Sequence, residues 1–175
     1  LTRAPGTFLR TVAGIDAAMA AGMQVHLNCL VVKDNVAELP EWAHAVMKRW
    51  GSGSGGLRVT FSEPCMSHDP AHYEALACAH DEVAGPLTEA MIALREGGVR
   101  AFCLSTCGFP PCILSDNPDL LADQLDDAPT PAAVDDSDRA GRRFLEPCDD
   151  CSLRQSCLGP RSEYADRFGA PGVSP

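Results

Sequence analysis

Basic residues and long apolar runs are both scarce in this 175-residue sequence. It carries 14 Lys and Arg against 24 Asp and Glu, for a formal net charge of −10. A nucleic-acid-binding surface needs clustered Lys and Arg, and no apolar run here approaches the length of a membrane span. The composition therefore predicts a protein that binds neither nucleic acid nor a membrane. Eleven of the acidic residues fall between positions 116 and 150, so the excess negative charge is local.

Two further features are missing from the sequence. The glycine-rich stretch 51–56 lacks the Lys-Ser/Thr pair of a phosphate-binding loop and precedes a strand pattern, so it predicts a flexible connection. The nine cysteines are odd in number, which excludes a fully paired disulfide framework. Because signal-peptide features are absent as well, the cysteines indicate a reducing compartment, and we expect a cytoplasmic protein. The sequence begins with Leu1, inside a structural unit, and we expect the natural N-terminus to lie upstream.

Helical and strand patterns alternate along the first hundred residues. Helical patterns precede strands predicted at 23–32, 57–62 and 99–104, and the long helical stretch before the third strand contains a predicted break near Gly85-Pro86. This order predicts parallel strands joined by crossover helices. Three such strands cannot close a barrel, so the predicted fold is α/β, with a partial (βα) barrel of the TIM type.

The sequence divides at the end of the third predicted strand. We predict the partial barrel over 1–102 and a small cysteine-rich domain over 103–175. Within the second part, 116–143 is acidic and rich in Pro and Ala, which predicts a long surface excursion, with one or two helical turns at Leu120, Leu121 and Leu125. In the first part, the strand at 23–32 alternates apolar residues with polar ones such as Asn28, and Cys29 falls on the apolar, core-facing side.

Three cysteines fall within ten residues of one another near the C-terminus. Cys148, Cys151 and Cys157 are spaced C-x2-C-x5-C, which allows their sulfurs to reach one metal or one face of a cluster. A fourth ligand is needed. Cys112, whose approach is rigidified by two prolines, is the leading candidate, and Cys107 is the alternative. Four thiolates suit zinc as well as iron, and free cysteines also bury readily, so the spacing favours a metal without identifying it.

The residues that follow this cysteine knuckle (148–157) also carry a pattern. Positions 162–168 predict a short helix that packs Tyr164 and Phe168 beneath the metal site. The tail beyond this helix is rich in Pro and Gly, and we expect it to fray.

Parallel βα units, then C-x2-C-x5-C-x-Gly, then Tyr-x3-Phe-Gly, resemble the C-terminal part of a radical S-adenosylmethionine enzyme. More narrowly, they resemble family members that carry a SPASM- or twitch-type auxiliary cluster domain. The resemblance covers nearly the whole chain, and its cysteine part is the specific one. The matching pieces, in the order such enzymes show, are Pro5-Gly6-Thr7-Phe8, the strand and turn at 25–35, Pro110-Pro111-Cys112, and 148–169.

The resemblance implies a mechanism for the full enzyme. A reduced [4Fe–4S] cluster would split S-adenosylmethionine to a 5′-deoxyadenosyl radical, which abstracts a hydrogen from the substrate. An auxiliary [4Fe–4S] cluster would be held by Cys112 and the knuckle cysteines, with Cys107 as the alternative fourth ligand. A ribosomally made precursor peptide is the implied substrate, and a reductant protein the implied partner. Because barrel sites lie at the carboxyl ends of strands, Asn28, Ser62 and Glu63 are expected to border the S-adenosylmethionine pocket.

The sequence also departs from the family pattern. The C-x3-C-x2-C motif that binds the radical-generating cluster is absent, and Cys103-x3-Cys107 reproduces only its first half. A full SPASM domain would place a further cysteine where Arg161 stands, and nothing after Gly169 could bind a second auxiliary cluster. We therefore expect one auxiliary cluster and a chain that is inactive without its catalytic half. A structural zinc module and a non-catalytic peptide-binding fragment are the alternatives.

Overall fold

The computed structural model describes residues 5–51, 56–65, 70–103, 108–127 and 135–173. Most of the predicted glycine-rich loop, and Cys107, lie outside these residues. The elements follow the chain as α1 (Thr7–Ala20), β1 (Val25–Leu30), α2 (Leu39–Trp50), β2 (Leu57–Ser62), α3 (Pro70–Leu76), α4 (His80–Glu96), β3 (Arg100–Phe102), α5 (Pro118–Asp127), α6 (Asp136–Ala140) and α7 (Ser162–Phe168). Short 3-10 turns at Val36–Glu38, Pro111–Leu114, Glu146–Cys148 and Arg154–Ser156 complete the described elements.

The three strands form one parallel sheet in the order β1-β2-β3. Val25 pairs with Leu57 at the start of β1, and Arg58 pairs with Arg100 at the start of β3. The predicted α/β fold with parallel strands is thus confirmed, and the sheet is consistent with part of a (βα) barrel. β2 has the predicted bounds, whereas β1 and the described part of β3 are shorter than predicted.

The main core lies between the sheet and the helices that cover it. Val59 and Phe61 of β2 have no exposed surface, and neither do Leu87 and Leu94 of α4. Burial of such side chains stabilises the fold by about 1.5–3 kcal/mol each. Cys29 is buried in the same core, as predicted. By contrast α1 has no buried residue, so its apolar stripe is only partly covered.

The helical stretch before β3 is interrupted at a different place from the one predicted. The prediction of a break near Gly85-Pro86 is wrong, because Pro86 lies inside α4 and the gap falls between Leu76 and His80. A proline inside a helix costs about 3 kcal/mol. The buried face of α4, packed on the sheet, offsets that cost. Ala79, in extended conformation, forms the N-cap, and its N–H donates to Glu82 Oε2 at 3.3 Å.

Part of the predicted acidic excursion is an ordered helix that packs on the core. In α5, Leu120 is buried and Gln124 is 5% exposed. The Cys103 N–H donates to Gln124 Oε1 at 3.0 Å, and Gln124 Nε2 donates to the Ala101 carbonyl at 2.7 Å. These bonds satisfy backbone groups at the end of β3, so for 118–127 the prediction of a surface excursion is corrected. Residues 128–134 lie outside the described part of the chain.

Two predictions near the C-terminus have different outcomes. The short helix predicted at 162–168 is confirmed as α7, with Tyr164 buried. The prediction that the following tail frays is wrong as far as Val173, which is buried against the cysteine knuckle. The division into domains at 102 and 103 stays a prediction. Across the described residues, no helix is both long enough and apolar enough to cross a membrane.

Candidate functional site

The four cysteines predicted as ligands line one cavity. Pro110 and Pro111 open the 3-10 turn that carries Cys112, and Cys148 ends the turn Glu146–Cys148. Cys151 and Cys157 flank the turn Arg154–Ser156. Three tight turns, one before α5 and two after α6, therefore bring Cys112 to the same cavity as the three knuckle cysteines. The cavity wall contains the four thiols, both prolines, Pro160, and the side chains Phe144, Leu153, Arg154 and Val173.

The thiols are close enough to influence one another electrostatically. The pKa of Cys157 is raised to about 11, chiefly by burial and further by the negative charge that Cys112, Cys148 and Cys151 carry when ionised. A hydrogen bond from the Gly159 N–H to Cys157 Sγ, 3.1 Å long, acts in the opposite direction and lowers this pKa. A bound cation would reverse this balance, because metal ligation requires the thiolate form.

A positive charge also borders the cavity. The Arg154 guanidinium donates to the Cys148 carbonyl at 2.8 Å and to Asp149 Oδ1 at 2.9 Å, and its Cζ lies 4.4 Å from the centre of the Phe144 ring. These contacts hold the guanidinium beside the turn that presents Cys148. Sequence reasoning missed Arg154, since an arginine between two cysteines gives no pattern by which its direction could be predicted.

The inner side of the cavity is apolar. Tyr164 and Val173 form a buried cluster with Cys112 and Cys148, and Phe168 packs against it. Thus the predicted packing of Tyr164 and Phe168 beneath the cysteines is observed. Cys151 and Cys157 are partly exposed to solvent.

The chemistry of this donor set fits a thiolate-ligated group, with four sulfurs and no competing carboxylate among the cavity residues. Zinc at a Zn–S distance of about 2.3 Å would require sulfurs about 3.8 Å apart in tetrahedral geometry. Among the described residues, no group of three His, Cys, Asp or Glu is placed to hold a single metal ion. The thiols thus share a cavity without forming a single-ion site. Cys107 lies outside the described residues, so the choice between Cys112 and Cys107 remains a prediction.

The polar face of the sheet carries two of the residues predicted to border a cofactor pocket. Ser62 Oγ donates to Asn28 Oδ1 at 2.5 Å, across the carboxyl ends of β1 and β2. His26 and Thr60 form a second side-chain pair on the same face. Asn28 and Ser62 are thus in direct contact, and their role in binding S-adenosylmethionine stays a prediction.

Glu63, the third residue predicted for that pocket, directs its side chain into the core. It is 8% exposed and belongs to an internal ion-pair network. Its Oε2 lies 2.9 Å from His80 Nε2, and its Oε1 lies 3.2 Å from Arg161 Nε. The carboxylate therefore faces the core, whereas Asn28 and Ser62 lie on the polar face, and the role of Glu63 in binding S-adenosylmethionine stays a prediction. Alternation explains the difference, because Glu63 continues the core-facing series of Val59 and Phe61.

The remaining described cysteines lie away from the knuckle. Cys29, Cys78 and Cys103 are buried in the main core, and Cys65 is exposed after the carboxyl end of β2. Neither Cys29 nor Cys78 has another cysteine within cluster spacing along the sequence, so we expect both to bind no metal.

The chain is similar to several enzymes named GTP 3′,8-cyclase. It is 35% identical over 98 residues to the one from Rhizobium meliloti strain 1021, a match that covers 53% of this chain and 27% of that enzyme. The enzyme from Sinorhizobium medicae is 43% identical over a stretch with the same coverage. The enzyme from Caulobacter vibrioides is 52% identical over 48 residues, which cover 25% of this chain and 14% of that enzyme.

The similarity supports the radical S-adenosylmethionine family resemblance. It does not extend to the narrower SPASM or twitch type. The chain spans about a quarter of the length of the first of these relatives. No protein-family model matches the chain, and no solved structure gives a significant match.

Proposed function

We propose that this chain is the C-terminal part of a radical S-adenosylmethionine enzyme and that it holds one auxiliary [4Fe–4S] cluster. The ligands are Cys112, Cys148, Cys151 and Cys157. The observation that carries the proposal is the single cavity lined by all four thiols. The parallel α/β sheet and the similarity to GTP 3′,8-cyclases support the assignment to this enzyme family.

The protein's own groups have separate tasks at this site. The four thiolates ligate the iron, and Tyr164 and Val173 close the inner side against water. The Gly159 N–H donates to Cys157 Sγ, and such hydrogen bonds to ligating sulfur help to set the reduction potential. When bound, a cluster held by four thiolates would supply a one-electron redox centre.

The substrate is proposed from two sources. The relatives' name identifies GTP as the molecule on which they act, and this favours a purine nucleotide as the first substrate to test. The precursor peptide implied by the sequence resemblance is the second. GTP added to the dithionite-reduced protein should alter the electron paramagnetic resonance (EPR) spectrum of the cluster. An effect of a precursor peptide, and none of GTP, would favour the peptide.

Iron analysis tests the cluster itself. The anaerobically reconstituted chain should be brown and contain about four iron and four sulfide per chain. Cys112→Ser and Cys151→Ser should both lose most of this iron, because each removes a ligand, and their melting temperatures should fall. Cys107→Ser should keep the cluster. Cys65→Ser, at an exposed thiol away from the cavity, is the matched control and should also keep it.

Three other results would change the proposal. A colourless protein with about one zinc per chain would support the structural zinc module. Iron kept in Cys112→Ser and lost in Cys107→Ser would transfer the fourth ligand position to Cys107. A protein that binds no metal at all would leave the non-catalytic peptide-binding fragment as the better description.

A further inference from the structure

A buried acid–base pair lies between the sheet and the cysteine cavity. Glu63 follows β2 at its carboxyl end, and His80 is the first residue of α4. Their side chains are 7% and 1% exposed, and Glu63 Oε2 lies 2.9 Å from His80 Nε2. A carboxylate so far from water is costly unless it is paired. The pair has no place in the proposed ligand set, so its position requires another explanation.

A series of contacts connects His80 with Cys112. The His80 ring stacks on the Tyr164 ring, with centroids 3.7 Å apart and planes 10° apart. The backbone N–H of His80 donates to the Tyr164 hydroxyl at 2.9 Å. That hydroxyl donates to the Pro171 carbonyl at 2.6 Å. The Gly172 carbonyl, one residue on, lies 3.9 Å from Cys112 Sγ, which donates to it as a thiol and would only pack against it as a thiolate ligand. This series of contacts therefore fixes the tail against the Cys112 side of the cavity.

Close packing reinforces this first route. A Cβ at Gly172 would lie 2.4 Å from the Asp81 nitrogen and 2.7 Å from His80 Cβ. The tail thus passes directly over the start of α4, with no space for a side chain between them. Any shift of His80 must also move the tail that contacts Cys112.

A second series of contacts connects Glu63 with Cys157. The second carboxylate oxygen of Glu63 lies 3.2 Å from Arg161 Nε, in an ion pair. Arg161 forms an antiparallel bridge with Arg142. The buried Arg142 guanidinium donates to the Gly159 carbonyl at 3.1 Å, and the Gly159 N–H donates to Cys157 Sγ at 3.1 Å. The two oxygens of one carboxylate are thus connected to two different cysteines of the cavity.

We propose that Glu63 and His80 are positioning residues for the cluster. They hold the Cys112 side and the Cys157 side of the cavity in a fixed position relative to the carboxyl end of β2. The identity of the bound group rests on the proposed function, whereas the two series of contacts do not. When the pair is broken, the two sides of the cavity move independently, and the thiolates no longer hold the cluster in one geometry.

Three variants test the pair with limited disturbance of the fold. Glu63→Gln removes the carboxylate charge. His80→Phe keeps an aromatic ring to stack on Tyr164 but loses the contact with Glu63. Tyr164→Phe removes one hydroxyl and interrupts only the route to Cys112. Gln124→Met is the matched control, because Gln124 is a buried polar residue whose two hydrogen bonds go to the backbone of Ala101 and Cys103 rather than to the cavity.

The readouts separate positioning from general stability. All four variants should melt at lower temperature than the parent. Only the first three should shift the EPR signal of the dithionite-reduced cluster and lose iron to a chelator several-fold faster than the parent. Gln124→Met should match the parent in both. If Glu63→Gln and His80→Phe both behave like Gln124→Met, the inference is overturned, whatever Tyr164→Phe does. A parent chain that takes up no iron overturns the proposed function first, and this inference with it.

Discussion

At the scale of single residues, burial determines which cysteines can react. Burial raises the pKa of Cys29 and of Cys78 to about 11 each, whereas Cys65 is exposed. The thiolate is the nucleophile. At pH 8 the native protein should therefore react with iodoacetamide at Cys65 while Cys29 and Cys78 stay unmodified, as measured by peptide mass spectrometry.

The pH dependence has a definite sign. A raised pKa means that the thiolate fraction of Cys29 is small at pH 8 and rises about tenfold for each pH unit up to about pH 11. Its alkylation should accelerate accordingly wherever the fold persists, which circular dichroism can check. Rapid modification of Cys29 at pH 8 would show that the core opens on the timescale of the experiment.

Gly159 is a second residue whose identity follows from its surroundings. Its φ is +78°, and a Cβ there would lie 2.5 Å from the Arg143 carbonyl oxygen. Gly159→Ala should therefore lower the free energy of unfolding by about 3 kcal/mol and weaken iron retention by displacing the N–H that contacts Cys157. Gly98 is the control, with φ +76° and no atom within 4 Å of a Cβ. Gly98→Ala should cost only about 1 kcal/mol and leave the iron content unchanged. Urea unfolding compares the two, and equal losses would contradict the role of the close contact.

At the scale of elements, the sequence pattern predicted a segment correctly where the packing of that segment in the fold favours the same conformation. The bounds of β2 follow from strict alternation, because Val59 and Phe61 face the core while Thr60 faces the other way. Pro86 shows where the pattern fails. Its local preference is to end a helix, but the buried face of α4 outweighs that preference. Glu63 could not be assigned from sequence, since its partners His80 and Arg161 are 17 and 98 positions away along the chain.

The contribution of α5 can be tested through Gln124, a buried polar side chain on this helix. Gln124→Met would leave the Cys103 N–H and the Ala101 carbonyl without their partner, and an unsatisfied buried group costs about 1–3 kcal/mol. We expect a loss in that range in chemical denaturation. Asp123→Asn on the same helix affects only the exposed ion pair with Arg95, which contributes about 0–1 kcal/mol. A larger loss for Asp123→Asn than for Gln124→Met would show that α5 is held mainly by surface charge.

At the scale of the whole molecule, the sheet and the cysteine knuckle are joined rather than merely consecutive. The tail beyond α7 returns to the start of α4, and the Glu63–His80 pair connects the end of β2 with both sides of the cavity. Sequence spacing predicted the three knuckle cysteines because they lie within one short segment. It could not predict this junction, which depends on residues from β2, α4, α7 and the tail.

The cysteine motifs of the whole chain determine which chemistry it can perform alone. The sequence has no C-x3-C-x2-C motif, and the four clustered thiols can saturate an auxiliary cluster and leave no iron open to S-adenosylmethionine. The reconstituted 175-residue chain, reduced with dithionite, should therefore form no 5′-deoxyadenosine above a protein-free background in liquid chromatography. A radical S-adenosylmethionine enzyme that contains the motif serves as the positive control under the same conditions. Sustained 5′-deoxyadenosine formation by this chain would instead point to an open cluster on another cysteine set, and its loss in Cys103→Ser would identify that set.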